Sequence, residues 1–323
     1  MTDTFDLKIG FKCNNNCKHC VVASKRASGE LTLVQIKTIV DDIPPSVDNV
    51  TITGGEPSIS PIFYDILKYV KEKGFHTTIQ TNGTGFSDLE LVKKCKPYLD
   101  HIHLAIHSSN PEVHDFIVGS PGMWEKTIQG FKNIISQGIF CTTQTVLSNY
   151  NIDTLYDTYS FIQKTSPKTE MSMTYPHMMG NAYENREEVC FRYSDHKEMI
   201  QRCLKDFGEY LYLESIPMCY IFPYEDRIQS TLEEGIFEYF EEIKNGKPSS
   251  KRLGVDFSDG IYNKDYNVLD FESRKKAPRC KDCVFDGICI GVWKEYIDLF
   301  KNKLDLYPIT KEKYFKGKKE IFS

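Results

Sequence analysis

The chain has 323 residues, of which 40% are hydrophobic and 26% charged, and its formal net charge is -5. This composition is typical of a globular protein with a sizeable core, and it gives no reason to expect a nucleic-acid partner. No apolar run approaches the ~18 residues that cross a membrane. The amino end, MTDTFDLKIGF, lacks the basic and apolar regions of a secretory signal. We therefore expect a cytoplasmic protein with no membrane partner.

Strand-like and helix-like segments alternate along the first part of the chain. The strand candidates are 5–11, 49–53, 76–81, 101–107, 140–147 and 169–175. The helix candidates are 32–42, 61–74, 87–96, 124–138, 153–165 and 194–207. Such alternation predicts an α/β fold with parallel strands and crossover helices, either a partial barrel or an open sheet. In both architectures, ligands bind at the carboxyl ends of the strands.

The alternation lapses after a strand-like segment at 210–215. Residues 245–254, NGKPSSKRLG, have the composition of a flexible surface connection. We therefore predict a first domain over 1–215 and a second, smaller domain over 216–323.

Three cysteines follow the first predicted strand. Cys13, Cys17 and Cys20 have the spacing C-x3-C-x2-C. Ordinary electron-transfer clusters take four cysteines, whereas three thiolates would leave one iron of a cube open to bind a substrate or cofactor. Structural zinc is less well served because it needs four ligands, although His19 could be argued as the fourth. Disulfides are disfavoured in a chain that looks cytosolic.

A Gly-Gly-Glu-Pro turn at 54–57 follows the second predicted strand. Gly54 and Gly55 would let a backbone approach a ligand closely. Glu56 can take part in holding a cationic group, and Pro57 stiffens the exit from the turn. Taken alone, such a turn is most often only a turn.

The cysteine triplet followed by this turn resembles the radical S-adenosylmethionine (radical SAM) superfamily. The resemblance implies a partial (β/α)6 TIM-like barrel in which the three cysteines hold a four-iron, four-sulfur cluster. The fourth iron would bind the amino and carboxylate groups of S-adenosylmethionine. The family chemistry is reductive cleavage of this cofactor to a 5'-deoxyadenosyl radical, which takes a hydrogen atom from the substrate. An external donor of flavodoxin or ferredoxin type would supply the electron.

The resemblance also implies roles for individual residues near the cofactor. His19 would lie near the adenine, and Gly54, Gly55 and Glu56 would meet the methionine amino group. Polar residues after the third to sixth strands match family positions more loosely: Asn82, Ser108, Asn149, His177, Gly180 and Asn181. A turn or cap role stays open for each of these.

A second cysteine group, Cys280, Cys283 and Cys289, has the spacing C-x2-C-x5-C. It resembles the C-terminal extension called SPASM, or its shortened twitch form, which carries auxiliary iron–sulfur clusters. The full pattern would need a cysteine at the position of Trp293. This departure favours a single auxiliary four-iron, four-sulfur cluster with Cys219 as the candidate fourth ligand. A four-cysteine zinc knot is the alternative.

Four cysteines remain outside these groups. Cys95 and Cys203 continue apolar helical spacings and are predicted to lie in the core. The facing of Cys141 cannot be decided from its mixed neighbours. Cys190 falls in a loop after the sixth strand and is a candidate hydrogen-atom donor or thiyl site, with an incidental loop cysteine as the alternative.

Because SPASM-like domains belong mostly to peptide-modifying enzymes, we expect a ribosomally made peptide as substrate. The alternative is a small-molecule dehydrogenation in which the auxiliary cluster accepts an electron. A non-enzymatic protein stabilised by metal at both cysteine groups also stays open. Since the barrel begins almost at Met1, we expect no separate leader-binding module before the first cluster. Any leader peptide would then be held by the barrel, the C-terminal domain or another protein.

Overall fold

The protein is built around one large parallel sheet. The computed structural model describes residues 3–231, 252–255 and 272–322. The strands of this sheet are β1 (Asp3–Lys8), β2 (Val47–Thr53), β3 (His76–Thr81), β4 (His101–Ala105), β5 (Phe140–Val146), β6 (Glu170–Thr174), β7 (Leu211–Glu214), β8 (Ser230–Thr231) and β9 (Arg252–Val255). They lie in the order β8-β7-β6-β5-β4-β3-β2-β1-β9, and all neighbouring pairs are parallel. The sheet curls into a half-barrel, so the predicted partial TIM-like barrel is confirmed.

Helices connect the strands and continue into the C-terminal part. They are α1 (Leu33–Asp41), α2 (Phe63–Glu72), α3 (Leu89–Cys95), α4 (Pro111–Val118), α5 (Met123–Ser136), α6 (Leu155–Thr165), α7 (Gly180–Glu184), α8 (Arg186–Val189), α9 (Lys197–Phe207), α10 (Met218–Ile221), α11 (Lys294–Phe300) and α12 (Lys311–Phe322). A short antiparallel pair, β10 (Arg274–Lys275) and β11 (Val292–Trp293), forms the second sheet. Within the described ranges, no helix is long and apolar enough to cross a bilayer.

Each predicted strand and helix is present, with bounds that move by a few residues. The prediction missed α4, although Asn110 caps it through hydrogen bonds from the backbone N–H groups of Glu112 and Val113, and Pro111 opens it. Of the predicted flexible connection at 245–254, only 252–254 lie within the described residues. The flexible interpretation is wrong for these residues, because they belong to β9 and pair with β1.

The two faces of the sheet differ in polarity. The face toward the helices is apolar and buried, with Leu7, Ile52, Ile79, Leu104, Met173 and Leu213 on β1, β2, β3, β4, β6 and β7. Burial of each such side chain stabilises the fold by about 1.5–3 kcal/mol. Cys141 lies on this face, beside Ile102 in the register of β4 and β5, and is 4% exposed. Cys95 and Cys203 are also buried, which confirms their predicted core positions.

The opposite face, inside the curl, carries polar side chains. Thr53 donates a hydrogen bond to Gln80 over 2.9 Å, and Thr174 donates one to Glu214 over 3.2 Å. Gln144 lies between them on β5, and its amide is 3.5 Å from the Thr174 hydroxyl. The half-barrel therefore has an apolar outer surface that packs the helices and a polar inner surface that can receive a ligand.

A buried aromatic cluster joins the half-barrel to the C-terminal part. Tyr193 is its centre, with ring centroids 4.7 Å from Tyr175, 5.3 Å from Tyr220 and 4.9 Å from Tyr296. Tyr175 follows β6, whereas Tyr296 belongs to α11. The two parts of the chain are therefore packed through a continuous core.

Candidate active site

The cysteine triplet lies on the loop after β1, at the carboxyl edge of the sheet. The loop is held from one side by the end of α4, because Asn16 donates its backbone N–H to the carbonyl of Val118 over 2.8 Å. It is held from the other side by Asn181, whose backbone N–H and Nδ2 donate to the carbonyls of Cys20 and Cys17, each over 2.9 Å. The ligand-bearing loop is thus fixed by segments far away in sequence.

The three thiols influence one another. Burial, together with the neighbouring Cys20 and Cys13, raises the pKa of Cys17 to about 12. Burial also raises the pKa of Cys13, whose sulfur accepts the Asn15 N–H over 3.4 Å. A bound cationic metal stabilises the thiolate forms of such thiols. The donor set therefore fits an iron–sulfur cluster with three protein ligands.

The two glycines of the turn after β2 pack against the chain that leads into this loop. A Cβ on Gly54 would lie 2.1 Å from the carbonyl oxygen of Gly10, and one on Gly55 would lie 2.0 Å from that of Lys12. Gly54 also has a φ of +131°, where other residues are strained. The close approach expected of these glycines is made by the protein's own backbone, and their contact with a cofactor stays a prediction.

Glu56 fastens the same turn to the end of β3. Its buried carboxylate accepts hydrogen bonds from the backbone N–H of Asn82 over 2.6 Å, the hydroxyl of Thr81 over 2.7 Å, and the N–H and hydroxyl of Ser58 over 3.0 Å and 2.5 Å. Burial raises the pKa of Glu56, and the hydrogen bonds oppose this shift. Glu56 therefore has a structural role, and its predicted contact with a cationic group stays a prediction.

Asn82 connects this turn to the cysteine loop. Its Nδ2 lies 3.9 Å from the sulfur of Cys13 and donates to Asn14 over 2.8 Å. Its Oδ1 accepts the backbone N–H of Thr84 over 3.0 Å. The structure thus brings the predicted residue Asn82 beside the first cysteine.

His19 begins a row of three histidines. Its ring lies 4.6 Å from that of His107, which lies 5.8 Å from that of His114. Burial lowers the pKa of His19 and of His114 to about 4, and that of His107 well below its ordinary value. Among the described residues, the Nδ1 of His19 has no hydrogen-bond partner. Neutral rings with one open nitrogen next to the cysteines are compatible with the predicted place near an adenine.

Ser108 and Asn149 make local hydrogen bonds. The Ser108 hydroxyl accepts the Asn110 N–H over 3.1 Å and lies 3.3 Å from the Thr154 hydroxyl. The amide of Asn149 donates to the carbonyls of Glu188 and Cys190 over 3.1 Å and 2.9 Å. These contacts agree with the cap and turn alternatives, and direct cofactor contacts of both residues stay predictions.

Cys190 is buried at the end of α8. Its sulfur lies 3.4 Å from that of Met178, and burial raises its pKa to about 12. Together with Asn149, Arg192 and Phe300, it lines a cavity of about 460 Å³ between the half-barrel and the C-terminal part. The thiol is thus protonated and beside a cavity, and its role as a hydrogen-atom donor stays a prediction.

The four cysteines assigned to an auxiliary cluster converge on one cavity. Cys219, Cys280, Cys283 and Cys289 all line it. Burial raises the pKa of Cys219, and the other three cysteines raise it further. The sulfur of Cys283 also accepts the backbone N–H of Ile309 over 3.3 Å. The donor set fits a four-cysteine cluster, and a four-cysteine zinc site has the same donors.

A polar group at the carboxyl ends of β6 and β7 was predicted only in part, because His177 was its one member named near the cofactor from the sequence. The Oε1 of Glu214 lies 2.6 Å from the Nε2 of His177. The His177 ring contacts that of Trp293 at 4.6 Å, and the guanidinium of Arg274 lies 3.6 Å from the Trp293 ring. Glu214 lies at the end of the strand-like segment predicted at 210–215. A carboxylate at the carboxyl end of a predicted strand was the signal that could have identified it. The contacts of Arg274 and Trp293 join distant parts of the chain and left no signal in the sequence.

A curled parallel sheet with three cysteines on the loop after its first strand is the architecture of radical SAM proteins. Residues 7–162 match the family model described as Radical SAM superfamily. The chain therefore contains a radical SAM domain over just under half of its length, and members of that superfamily use a four-iron, four-sulfur cluster and S-adenosylmethionine.

Curated relatives fall into two functional groups. The chain is 29% identical over 156 residues to the AdoMet-dependent heme synthase of Methanosarcina barkeri, which is 47% of this chain and 44% of the relative. It is 32% identical over 158 residues to the antilisterial bacteriocin subtilosin biosynthesis protein AlbA of Bacillus subtilis. These aligned residues make up 48% of this chain and 35% of the relative. The match therefore spans less than half the length of these relatives.

Solved structures resemble the chain over nearly its full length. The protein anSMEcpe with bound AdoMet and Kp18Cys peptide aligns with a TM-score of 0.64 and 16% identity, covering 100% of this chain and 96% of that one. Streptococcus suis SuiB bound to precursor peptide SuiA aligns with a TM-score of 0.62 and 16% identity, covering 96% and 75%. At this identity the likeness shows the shared fold alone.

Proposed function

We propose that this protein is a radical SAM enzyme that modifies a ribosomally made peptide. It would use one cluster at the cysteine triplet and one auxiliary four-iron cluster in the C-terminal part. The observation that carries the proposal is the convergence of the four C-terminal cysteines on one cavity in a chain with a radical SAM domain. Four thiols around one site are the usual ligands of a four-iron cluster.

The peptide substrate is supported by relatives and by shape. AlbA and mycofactocin maturase MftC of Mycobacterium tuberculosis are named for bacteriocin biosynthesis and mycofactocin maturation. SuiB and anSMEcpe have been solved with peptides bound. In this chain, the polar inner face of the half-barrel offers side chains such as Gln80 and Gln144, which can hydrogen-bond a peptide backbone.

The chain's own residues hold the reacting groups. When bound, the cluster and S-adenosylmethionine supply a one-electron reductive cleavage that begins hydrogen-atom abstraction. Asn181 holds the backbone carbonyls of Cys17 and Cys20 by hydrogen bonds, and Glu56 holds the turn after β2 in the same way. His177 and Glu214, 16–26% exposed at the carboxyl ends of β6 and β7, can take up a proton that the substrate releases.

The proposal divides the chain into a half-barrel over 1–215 and an auxiliary domain over 216–323. We also infer a cytoplasmic location, because the cysteine ligands of both clusters must stay reduced. An external flavodoxin or ferredoxin type donor would supply the electron.

Anaerobic reconstitution with iron and sulfide tests this proposal. We expect about eight irons per chain, for two four-iron clusters, and 5'-deoxyadenosine after addition of S-adenosylmethionine and dithionite. A peptide encoded by an adjacent reading frame should then change in mass. Stoichiometric zinc with no 5'-deoxyadenosine would contradict the enzymatic proposal altogether.

The heme synthase relatives favour a second candidate, oxidation of a small molecule with the auxiliary cluster as electron acceptor. An iron porphyrin offered in place of the peptide separates the two candidates. Consumption of the porphyrin with no mass change in the peptide would favour the second.

A further inference from the structure

Arg26 lies against the loop that carries the cysteine triplet. Its Nη2 donates a hydrogen bond to the carbonyl oxygen of Asn15 over 2.6 Å. The 3₁₀ helix Ala23–Ser28 holds Arg26 in this place. A cation is therefore hydrogen-bonded to the backbone between two of the three proposed ligands, Cys13 and Cys17.

Asn15 lies between the same two cysteines. Its side chain is 2% exposed, and neither Oδ1 nor Nδ2 has a hydrogen-bond partner in the part of the chain that the structure describes. Its neighbours differ, since Asn14 donates to Thr84 over 2.8 Å and Asn16 is exposed. Buried amides nearly always have partners. The Asn15 amide is therefore available to a group that the polypeptide itself does not supply.

The reduction potential of an iron–sulfur cluster depends on its net charge, on hydrogen bonds to its sulfurs and on its exposure. Reduction adds one negative charge, which a nearby guanidinium and an amide N–H stabilise more than they stabilise the oxidised cluster. We propose that Arg26 and Asn15 are positioning residues that raise the reduction potential of the cluster at Cys13, Cys17 and Cys20. This inference rests on the proposed function, which places a cluster there.

A potentiometric titration of the anaerobically reconstituted full chain, followed by EPR without S-adenosylmethionine, tests the inference. Cofactor added at the end identifies the signal of the open-site cluster, because only that signal shifts. We expect R26Q and N15L each to lower the reduced-to-oxidised ratio about tenfold at a fixed potential, which is about 59 mV for one electron. Two controls should keep the wild-type reduction potential. R26K keeps the positive charge, and N16L changes an exposed neighbour of Asn15.

Iron and sulfide are measured on the same samples. R26Q and N15L with full iron content and wild-type potentials would overturn the inference and leave the proposed function intact. A wild-type chain with no signal that responds to the cofactor would overturn the proposed function and the inference with it. If R26Q takes up no iron, N15L decides alone, and a wild-type potential for N15L overturns the inference.

Discussion

The carboxylate of Glu56 accepts the backbone N–H of Asn82 over 2.6 Å, which joins the ends of β2 and β3 beside the cysteine loop. The same buried carboxylate also accepts hydrogen bonds from Thr81 and Ser58, so it stabilises the carboxyl edge of the sheet. Asn82 in turn reaches the sulfur of Cys13. Glu56 therefore influences the cluster loop through hydrogen bonds rather than through metal ligation.

The substitution Glu56→Gln should weaken this edge. It replaces one acceptor oxygen with an NH₂ group, which leaves a buried donor unpaired at a cost of about 1–3 kcal/mol. Urea titration of the metal-free chain would measure the loss in the free energy of unfolding. Glu72→Gln, at an exposed position on α2, is the control and should stay within about 0.5 kcal/mol of the wild type. Equal stability of both variants would contradict the structural role of Glu56.

The substitution Cys17→Ala should abolish cofactor cleavage. The variant loses one of three ligands, so its iron content should fall from about eight to about four atoms per chain. Iron analysis and 5'-deoxyadenosine quantification after dithionite measure both effects. Cys203→Ala, which removes a buried core thiol, should keep the iron and lose about 1 kcal/mol of stability. Normal cleavage by the Cys17 variant would exclude the triplet as the cofactor site.

The substitution Cys283→Ala should separate the roles of the two clusters. Iron should again fall by about half, but 5'-deoxyadenosine should still form while conversion of the peptide stops. Mass spectrometry of the peptide and chromatography of the nucleoside report the two steps separately. Cys95→Ala, in the core, is the matched control. Full conversion by the Cys283 variant would remove the auxiliary site from the reaction.

The stability of the metal-free chain should depend on pH through His101. Burial, together with the nearby rings of His103 and His76, lowers the pKa of His101 to about 3. The unfolded chain takes up a proton below about pH 6.5, so it binds more protons than the folded chain between about pH 6.5 and pH 3. The contribution of His101 to the free energy of unfolding should therefore fall by about 1 kcal/mol from about pH 7 to pH 5, allowing for partial solvent contact.

Urea titrations at a series of pH values measure this slope. His101→Gln should flatten it, because the titrating ring is removed. Thr142→Val removes the hydroxyl that lies 2.9 Å from the His101 Nε2 but keeps the ring, so it should keep the slope. An unchanged slope in the His101 variant would show that other groups control the dependence.

The sequence predicted the parts that depend on local pattern. The order of strands and helices followed from alternating segments, and the carboxyl-edge location of the triplet followed from the parallel sheet that this order implies. Cys219 was proposed as a fourth ligand only by counting cysteines, and the structure places it with the other three. That placement depends on the folding of the C-terminal part onto the half-barrel.

The parts that sequence reasoning missed depend on long-range contacts. Asn181 was named as a loose match to a family position or as a turn residue, but nothing in its neighbourhood indicates that its amide donates to the carbonyl of Cys17. Glu214 contacts His177, and His177 and Arg274 contact Trp293, only after distant segments have docked. β9 was missed because its four residues have no readable period and gain their extended form from pairing with β1.

The pairing of β9 with β1 bears on how the protein can be shortened. β1 leads into the cysteine loop, and residues 252–255 cover the side of β1 that faces away from β2. A chain cut after residue 215 would uncover a row of backbone donors and acceptors, which is a template for intermolecular strand addition. The isolated amino-terminal portion should therefore self-associate. In the full chain, β9 prevents this by pairing with the exposed edge of β1.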